Sequence, residues 1–271
     1  MTDWDPELYN RFRRYRAEPF EAILDRLEFD PASRIVDLGC GSGENTVELA
    51  RRAARGSALG LDSSPAMIAR ANQLRAALDA DLAARIRFEL GDITRFAAPE
   101  QYSLVFSNAA LQWVSDRRTA LEACYWALIP GGRLVVQMPA NQHETYHATL
   151  RQLIGEEPWR SMIPAGAAPL HQDVEGPEHY RRLLAELGFA GVDCYHQTFT
   201  HPMRSPAEIV EWCRATTLRP LLEALPADRR ESFVECWRVR LERAYGTAGS
   251  LMFPFRRLFL WGRRPAKSDG A

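Results

Sequence analysis

The residues that could do chemistry begin with Asp37-Leu38-Gly39-Cys40-Gly41-Ser42-Gly43-Glu44, where an apolar run ends in three glycines at alternate positions. Glycine takes positive φ without a steric penalty and has no Cβ, so such a turn lets a ligand meet bare backbone. Two further carboxylates close short apolar runs: Asp62 after Ala58-Leu59-Gly60-Leu61, and Asp92 after Ile86-Arg87-Phe88-Glu89-Leu90-Gly91. Asp62 stands nineteen residues beyond Gly43, where a strand-end carboxylate can accept from both hydroxyls of a ribose. Asp92 can accept from an adenine amino group, with the Ile93 backbone reading the ring edge. Taken singly, a strand-end aspartate is as often a plain turn former or helix cap, and such a glycine turn is an ordinary turn about one time in three. Together they describe a nucleoside site.

The spacing also restricts the nucleoside. A dinucleotide loop of the Gly-x-Gly-x-x-Gly kind needs its third glycine at position 44, and that position is Glu44. A carboxylate at the start of a helix repels a pyrophosphate, and no Gly-Lys-Ser/Thr phosphate grip is present. The loop suits a nucleoside that lacks phosphates and carries positive charge. A dinucleotide oxidoreductase is the weaker alternative.

Such residues need a scaffold that gathers strand ends. Apolar runs at 35–38, 58–62, 86–90, 103–108 and 133–138 alternate with helical segments, which predicts an α/β fold with a doubly wound parallel sheet. Right-handed crossovers put all strand C-termini on one edge, so the glycine turn, Asp62, Asp92 and Asn108 meet there. The helix after Gly43 should run to about Ala54. Ser64 and Pro65 open a helix reaching about Leu78, and Ser115 caps another. Pro130-Gly131-Gly132 should turn the chain into the strand 133–138. Residues 3–28 predict one or two amphipathic helices interrupted near Pro19.

Past Pro139 the pattern changes. Breakers at Pro158, Pro164, Gly166 and Pro169 suggest a partly helical lid. Tyr180, Leu183, Leu184 and Leu187 predict a helix stopped by Gly188, and a strand should follow at 191–200. Ser205-Pro206-Ala207-Glu208 reads as a capping box, and Phe233, Trp237, Leu241 and Tyr245 share a helix face. A strand at Phe255–Trp261 should precede a disordered tail. The expected organisation is an N-terminal helical cover at 1–30 and an α/β core at 31–140. A helical lid and acceptor region follow at 141–187 and 205–248, with C-terminal strands at 188–204 and 249–262 and a tail at 263–271.

Charge is balanced at 34 basic and 35 acidic residues, so nothing calls for nucleic acid or an anionic membrane. Lys267 is the single lysine, and the arginine excess makes any one arginine weak evidence for a site. The five cysteines are scattered with no Cys-x-x-Cys pair, and His143 and His147 lack a third ligand, so no metal is expected. The start lacks a secretory leader and no run is long enough to span a membrane, which makes a cytoplasmic protein the expectation. A monomer is compatible with the sequence, which does not fix the oligomeric state.

The stretches Asp37–Gly43, Asp62-Ser63-Ser64-Pro65-Ala66-Met67, Gly91-Asp92 and Leu128-x-Pro130-Gly131-Gly132 resemble class I S-adenosylmethionine-dependent methyltransferases. Within them the chain is similar to the trans-aconitate methyltransferase family. That likeness is carried by Asp3-Trp4-x-Pro6-x-x-Tyr9-x-x-Phe12, Asn108-Ala109-Ala110-Leu111-Gln112-Trp113, Val136-Gln137-Met138-Pro139, Thr217-Leu218-Arg219-Pro220, Phe253-Pro254 and Phe259. The resemblance implies a Rossmann-like sheet of seven strands with the last antiparallel. It implies a donor site of Asp37, Gly39, Gly41, Gly43, Asp62, Ser63, Met67, Asp92, Ile93 and Asn108. It further implies methyl transfer to a carboxylate of trans-aconitate or a related small polycarboxylate, leaving S-adenosylhomocysteine. Four places depart from the family: Glu18 stands where an arginine is usual, 141–147 matches loosely, and the helix beyond Ala71 and the lid near 155–170 are longer.

A carboxylate acceptor is ionised at neutral pH and needs no general base, so no catalytic acid or base is expected. The protein must orient the acceptor and strip its water, a task suited to bidentate arginines. Arg219 is the first candidate and Arg16 the second. Trp4, Tyr9, Gln112, Trp113 and Tyr146 are candidates to close the pocket beside a sulfonium, with plain core packing the stronger reading for Trp113 than for Trp4. Methylation of another small or carrier-bound acceptor, or a donor-binding module without catalysis, are the alternatives.

Overall fold

A computed structural model of the chain describes residues 6–164, 174–214, 217–247 and 249–266, with side chains from Phe12 onward. Seven strands form one sheet: β1 Arg34–Leu38, β2 Ser57–Asp62, β3 Ile86–Leu90, β4 Tyr102–Asn108, β5 Leu128–Pro139, β6 Ala190–Met203 and β7 Leu251–Arg263. Their order is β3-β2-β1-β4-β5-β7-β6. The first five pair in parallel, and β7 lies antiparallel to β5 with Gln137 opposite Phe259. The helices are α1 Pro6–Arg26, α2 Glu44–Arg52, α3 Pro65–Ala76, α4 Ala80–Ala84, α5 Arg117–Ala127, α6 Thr145–Ile154, α7 Trp159–Met162, α8 Pro177–Glu186, α9 Pro206–Arg214, α10 Arg219–Ala224 and α11 Arg230–Tyr245. The doubly wound, mostly parallel α/β sheet is as expected, and so is its antiparallel last strand.

The chain divides into two compact units: 19–139 with 175–197 and 257–271, and 1–18 with 140–174 and 198–256. The first holds β1 to β5 with the first part of β6 and the last part of β7. Its inner strands are apolar without alternation, since helices cover both faces; Ile35, Val36, Leu38, Val105, Phe106 and Val135 are all buried. The second is mainly helical and packs on aromatics. In α11, Phe233, Trp237 and Leu241 turn inward at four-residue spacing and join Tyr146, Trp159, Trp212 and Phe253. Helix α8, expected with the lid, groups with the sheet.

Several element boundaries differ from expectation. Pro19 lies inside α1 without ending it; burial of Tyr15, Phe20 and Ile23 along the helix outweighs the bond that proline forfeits. Helices α2 and α3 stop about two residues early. Asp116, not Ser115, caps α5, accepting from Thr119 N at 3.0 Å and from its hydroxyl at 2.7 Å. Pro130-Gly131-Gly132 does not break the chain but is carried within β5 at a register shift opposite Tyr102–Leu104, with Gly131 at φ +81. Order also continues beyond Gly262. Arg264 is buried, donates to Leu128 O at 2.6 Å and pairs with Glu100 at 2.8 Å.

Candidate functional site

The turn between β1 and α2 is tied to the neighbouring strand: Gly39 N and Cys40 N both donate to Leu61 O, at 2.7 and 3.0 Å. All three glycines have positive φ, +79, +55 and +91 for Gly39, Gly41 and Gly43. They serve different ends. A Cβ on Gly39 would stand 2.2 Å from Ala110 Cβ, and one on Gly43 would stand 2.5 Å from the Phe88 ring. A Cβ on Gly41 would meet nothing within 4 Å. Only Gly41 is a glycine for backbone conformation alone, whereas Gly39 and Gly43 also allow close packing.

Asp62 at the end of β2 accepts from Gly41 N through Oδ2 and from Ser64 N through Oδ1, each at 2.9 Å. It thereby ties the glycine turn to the start of α3, and each oxygen keeps a lone pair. Ser64 caps α3 by accepting from Met67 N. Asp92 accepts from Thr94 N at 2.8 Å, and that backbone bond with the Thr94 side chain holds its carboxyl below the usual carboxylate range. Asp37 behaves otherwise. It is buried beneath the turn, accepts from Thr46 Oγ1 at 2.6 Å, and is pushed up to about 7 by burial, with Asp62 adding to the effect. Burial first, then Asp37 and Asp62, raise the Cys40 thiol as well, so the turn holds a neutral thiol and no nucleophile.

The opposite wall follows β4. Asn108 Oδ1 is buried without a hydrogen-bond partner among the described residues. Ala109 adopts φ +55, a left-handed conformation that costs an L-residue about 1–2 kcal/mol. Its N–H donates to Gln137 O at 2.9 Å and its carbonyl accepts from Gln112 Nε2 at 2.6 Å.

These elements enclose a cavity of about 710 Å³ at the C-terminal edge of the parallel strands, within the usual size for a small-molecule site. Its charged lining residues, Glu44, Asp62 and Asp92, are all carboxylates, with no lysine, arginine or histidine among the described lining. The set fits a cationic nucleoside: acceptors for hydroxyls and amines, an unpaired amide oxygen, an open glycine, and a field that opposes phosphates.

Eight of the ten donor-site expectations line this cavity: Gly39, Gly41, Asp62, Ser63, Met67, Asp92, Ile93 and Asn108. Asp37 and Gly43 do not, because one is buried on Thr46 and the other packs on Phe88. Asn45, Thr94, Ala109, Ala110, Val114 and Ser115 line it without being among the donor-site candidates. Of these, Thr94 had a signal, since an aspartate two residues earlier caps its N–H.

The acceptor candidates scatter. Trp113, a pocket candidate for which core packing is a stronger rival reading than for Trp4, lines the cavity and is 53 % exposed. Gln112 is buried and does not line it. In the helical unit, Tyr146 is core, 4.9 Å from the Phe253 ring. Arg16 donates to Trp212 O at 2.9 Å and lies over the Trp212 ring at 4.7 Å. Arg219 opens α10 with its side chain 69 % exposed and paired with Glu223 at 2.9 Å. Tyr9 lies in the first turns of α1, before Phe12, where only the backbone is described, and Trp4 lies outside the described residues. His143 is exposed and His147 buried. Among the described residues no cluster could hold a metal, and no helix is long and apolar enough to cross a membrane.

Comparison with known proteins gives a concordant result. A family model described as a methyltransferase domain matches residues 35–132. The chain is 38% identical over 270 residues to the trans-aconitate 2-methyltransferase of Variovorax paradoxus (strain S110), covering 98% of this chain and 100% of that protein. It is 36% identical over 270 residues to the enzyme of the same name from Paracidovorax citrulli (strain AAC00-1), with the same coverage. In fold it is similar to the YcgJ protein of Bacillus subtilis, at TM-score 0.63 and 14% identity over 92% of this chain and 98% of that one. It is also similar in fold to phosphoethanolamine N-methyltransferase 2 of Haemonchus contortus, solved with S-adenosyl-L-methionine. There the TM-score is 0.57 and the identity 18%, over 92% of this chain and 52% of that one.

Proposed function

The chain belongs to the trans-aconitate 2-methyltransferase family, and on that premise we propose that it moves the methyl group of S-adenosylmethionine onto a carboxylate of trans-aconitate or a closely related small polycarboxylate. The products are a monomethyl ester and S-adenosylhomocysteine. The observation that carries the donor is the cavity whose charged lining is carboxylate throughout. It attracts a sulfonium and an ammonium and repels the pyrophosphate of a dinucleotide.

When bound, the donor supplies a methyl group already activated on a positively charged sulfur. In this reading Asp62 holds the ribose hydroxyls through the lone pairs left over from Gly41 and Ser64, and Asp92 with the Ile93 backbone reads the adenine edge. Asn108 lines the same cavity at the end of β4. Trp113 supplies an aromatic wall, where contact with a sulfonium is worth about 0.5–2 kcal/mol. The acceptor carboxylate, with a pKa near 4, arrives ionised and is its own nucleophile. The protein's work is orientation and exclusion of water, with no proton to remove.

Calorimetry tests the donor: S-adenosylhomocysteine should bind and NAD should not, and the reverse sinks the reading of the cavity. Labelled donor incubated with a panel of di- and tricarboxylates tests the acceptor, with trans-aconitate expected to give a methyl ester. A rate level from pH 6 to 9 fits a pre-ionised carboxylate. A steep rise near pH 8 would instead indicate a hydroxyl or amine acceptor.

A further inference from the structure

We propose that Gln112 is a positioning residue for donor binding, clamping Ala109 in its left-handed conformation and so setting the β4 wall of the cavity. The proposal rests on reading that cavity as the S-adenosylmethionine site.

Ala109 and Glu100 are the non-glycine residues with positive φ among those described, and of the two only Ala109 lines the cavity. Such a conformation persists where its surroundings over-determine it. Here two groups do so. Gln137 O takes the Ala109 N–H at 2.9 Å, and Gln112 Nε2 donates to the Ala109 carbonyl at 2.6 Å. Gln112 is 2 % exposed, so water does not compete for that bond. The bond also sets the amide's orientation, since the flipped amide would put oxygen against oxygen.

Release of Ala109 would disturb both walls of the cavity. Its neighbour Ala110 fills the space that a Cβ on Gly39 would need, and Asn108 on its other side carries the unpaired Oδ1. A rotated turn therefore moves Asn108 and presses or frees the glycine turn. Direct recognition of the acceptor fits Gln112 less well. Its Oε1 is buried without a partner among the described residues, and an amide oxygen repels a carboxylate because both only accept hydrogen bonds.

The test uses the full-length protein and S-adenosylhomocysteine titrated by calorimetry. Gln112→Ala, and Gln112→Met as a volume-conserving partner in case the first fails to fold, should each weaken binding by about tenfold, because the Ala109 carbonyl loses its donor. The decisive arm is Ala109→Gly combined with each variant. Glycine enters the left-handed region unaided, so the double variants should recover most of the lost affinity. A merely structural role for Gln112 would not produce that rescue. Affinity left intact by both single variants, a rise confined to the acceptor KM, or a loss that Ala109→Gly does not restore would each overturn the clamp. Wild-type protein that binds no S-adenosylhomocysteine would sink the donor reading itself, which keeps the two failures apart.

Discussion

The sheet unit and the helical unit answered the same kind of question differently. At the strand ends of the sheet unit, residues chosen by type and spacing came together, and backbone N–H groups hold their carboxylates in place, as with Asp62 on Gly41 and Ser64. In the helical unit, residues chosen in the same way turned out to be packing or surface: Tyr146 in the core, Arg16 on Trp212, Arg219 on Glu223. The difference is geometric. A strand end in a parallel sheet has one possible edge to occupy, while the direction of a helical side chain depends on which face the rest of the unit covers.

The sharpest way to break this contrast lies in the glycine turn. Gly39→Ala forces a Cβ to 2.2 Å from Ala110 at φ +79, and overpacking with left-handed strain should destabilise the fold by about 2–5 kcal/mol. Gly41→Ala carries only the strain, about 1–2 kcal/mol by the same reasoning. Denaturant melts that rank Gly41→Ala as the worse of the two would refute the division of roles.

Asp37 tests whether the buried side of the same turn is structural. The folded protein keeps its proton up to about pH 7, while an exposed carboxyl releases it near 3.8. The unfolded chain therefore binds fewer protons across that window, and this group's contribution to stability falls as pH rises from 4 through 7 and is level above. Each tenfold difference in proton affinity between the folded and unfolded chain is worth about 1.4 kcal/mol, so at most about 4 kcal/mol is at stake. Asp37→Asn, which can still accept from Thr46, should gain on wild type between pH 5 and pH 8. A difference from wild type that is equal at both pH values would show that burial does not perturb Asp37.

Asp62→Ala removes the acceptor for Gly41 N and Ser64 N together with the proposed ribose contact. Donor affinity should drop by about tenfold or more, and unchanged calorimetric affinity would remove Asp62 from the site. The smallest effect belongs to the other region. Arg219→Ala loses an exposed pair with Glu223 and should change stability by less than about 0.5 kcal/mol. If the acceptor KM then rises tenfold with donor affinity unchanged, Arg219 leaves Glu223 for the substrate, and the contrast between the units fails at that residue.

Much of this molecule was legible before its fold. Alternation of apolar runs and helical segments up to Met138 predicts the parallel sheet, because each run too apolar for an exposed face must be buried on both. Glu44 in place of a third glycine, with Asp62 and Asp92 at strand ends, sorts the ligand by charge. These are local signals, written within a few residues of where they act. Helix caps were less legible: Ser115 and Asp116 are adjacent and both able, and the bond to Thr119 decided between them.

What the sequence alone determined, then, is which residues meet at the strand ends, since residue type, turn conformation and the single edge of a parallel sheet leave their placement little freedom. The tertiary structure decided the rest. It separated Gly39 and Gly43, which make room for Ala110 and Phe88, from Gly41, which opens to the cavity. It put Asp37 beneath the site and Trp113 at its wall, and it turned Gln112 inward onto a strained alanine. Each of these depends on contact between segments distant in the chain or on how one turn lies against another, and no periodicity in a single segment encodes such a contact.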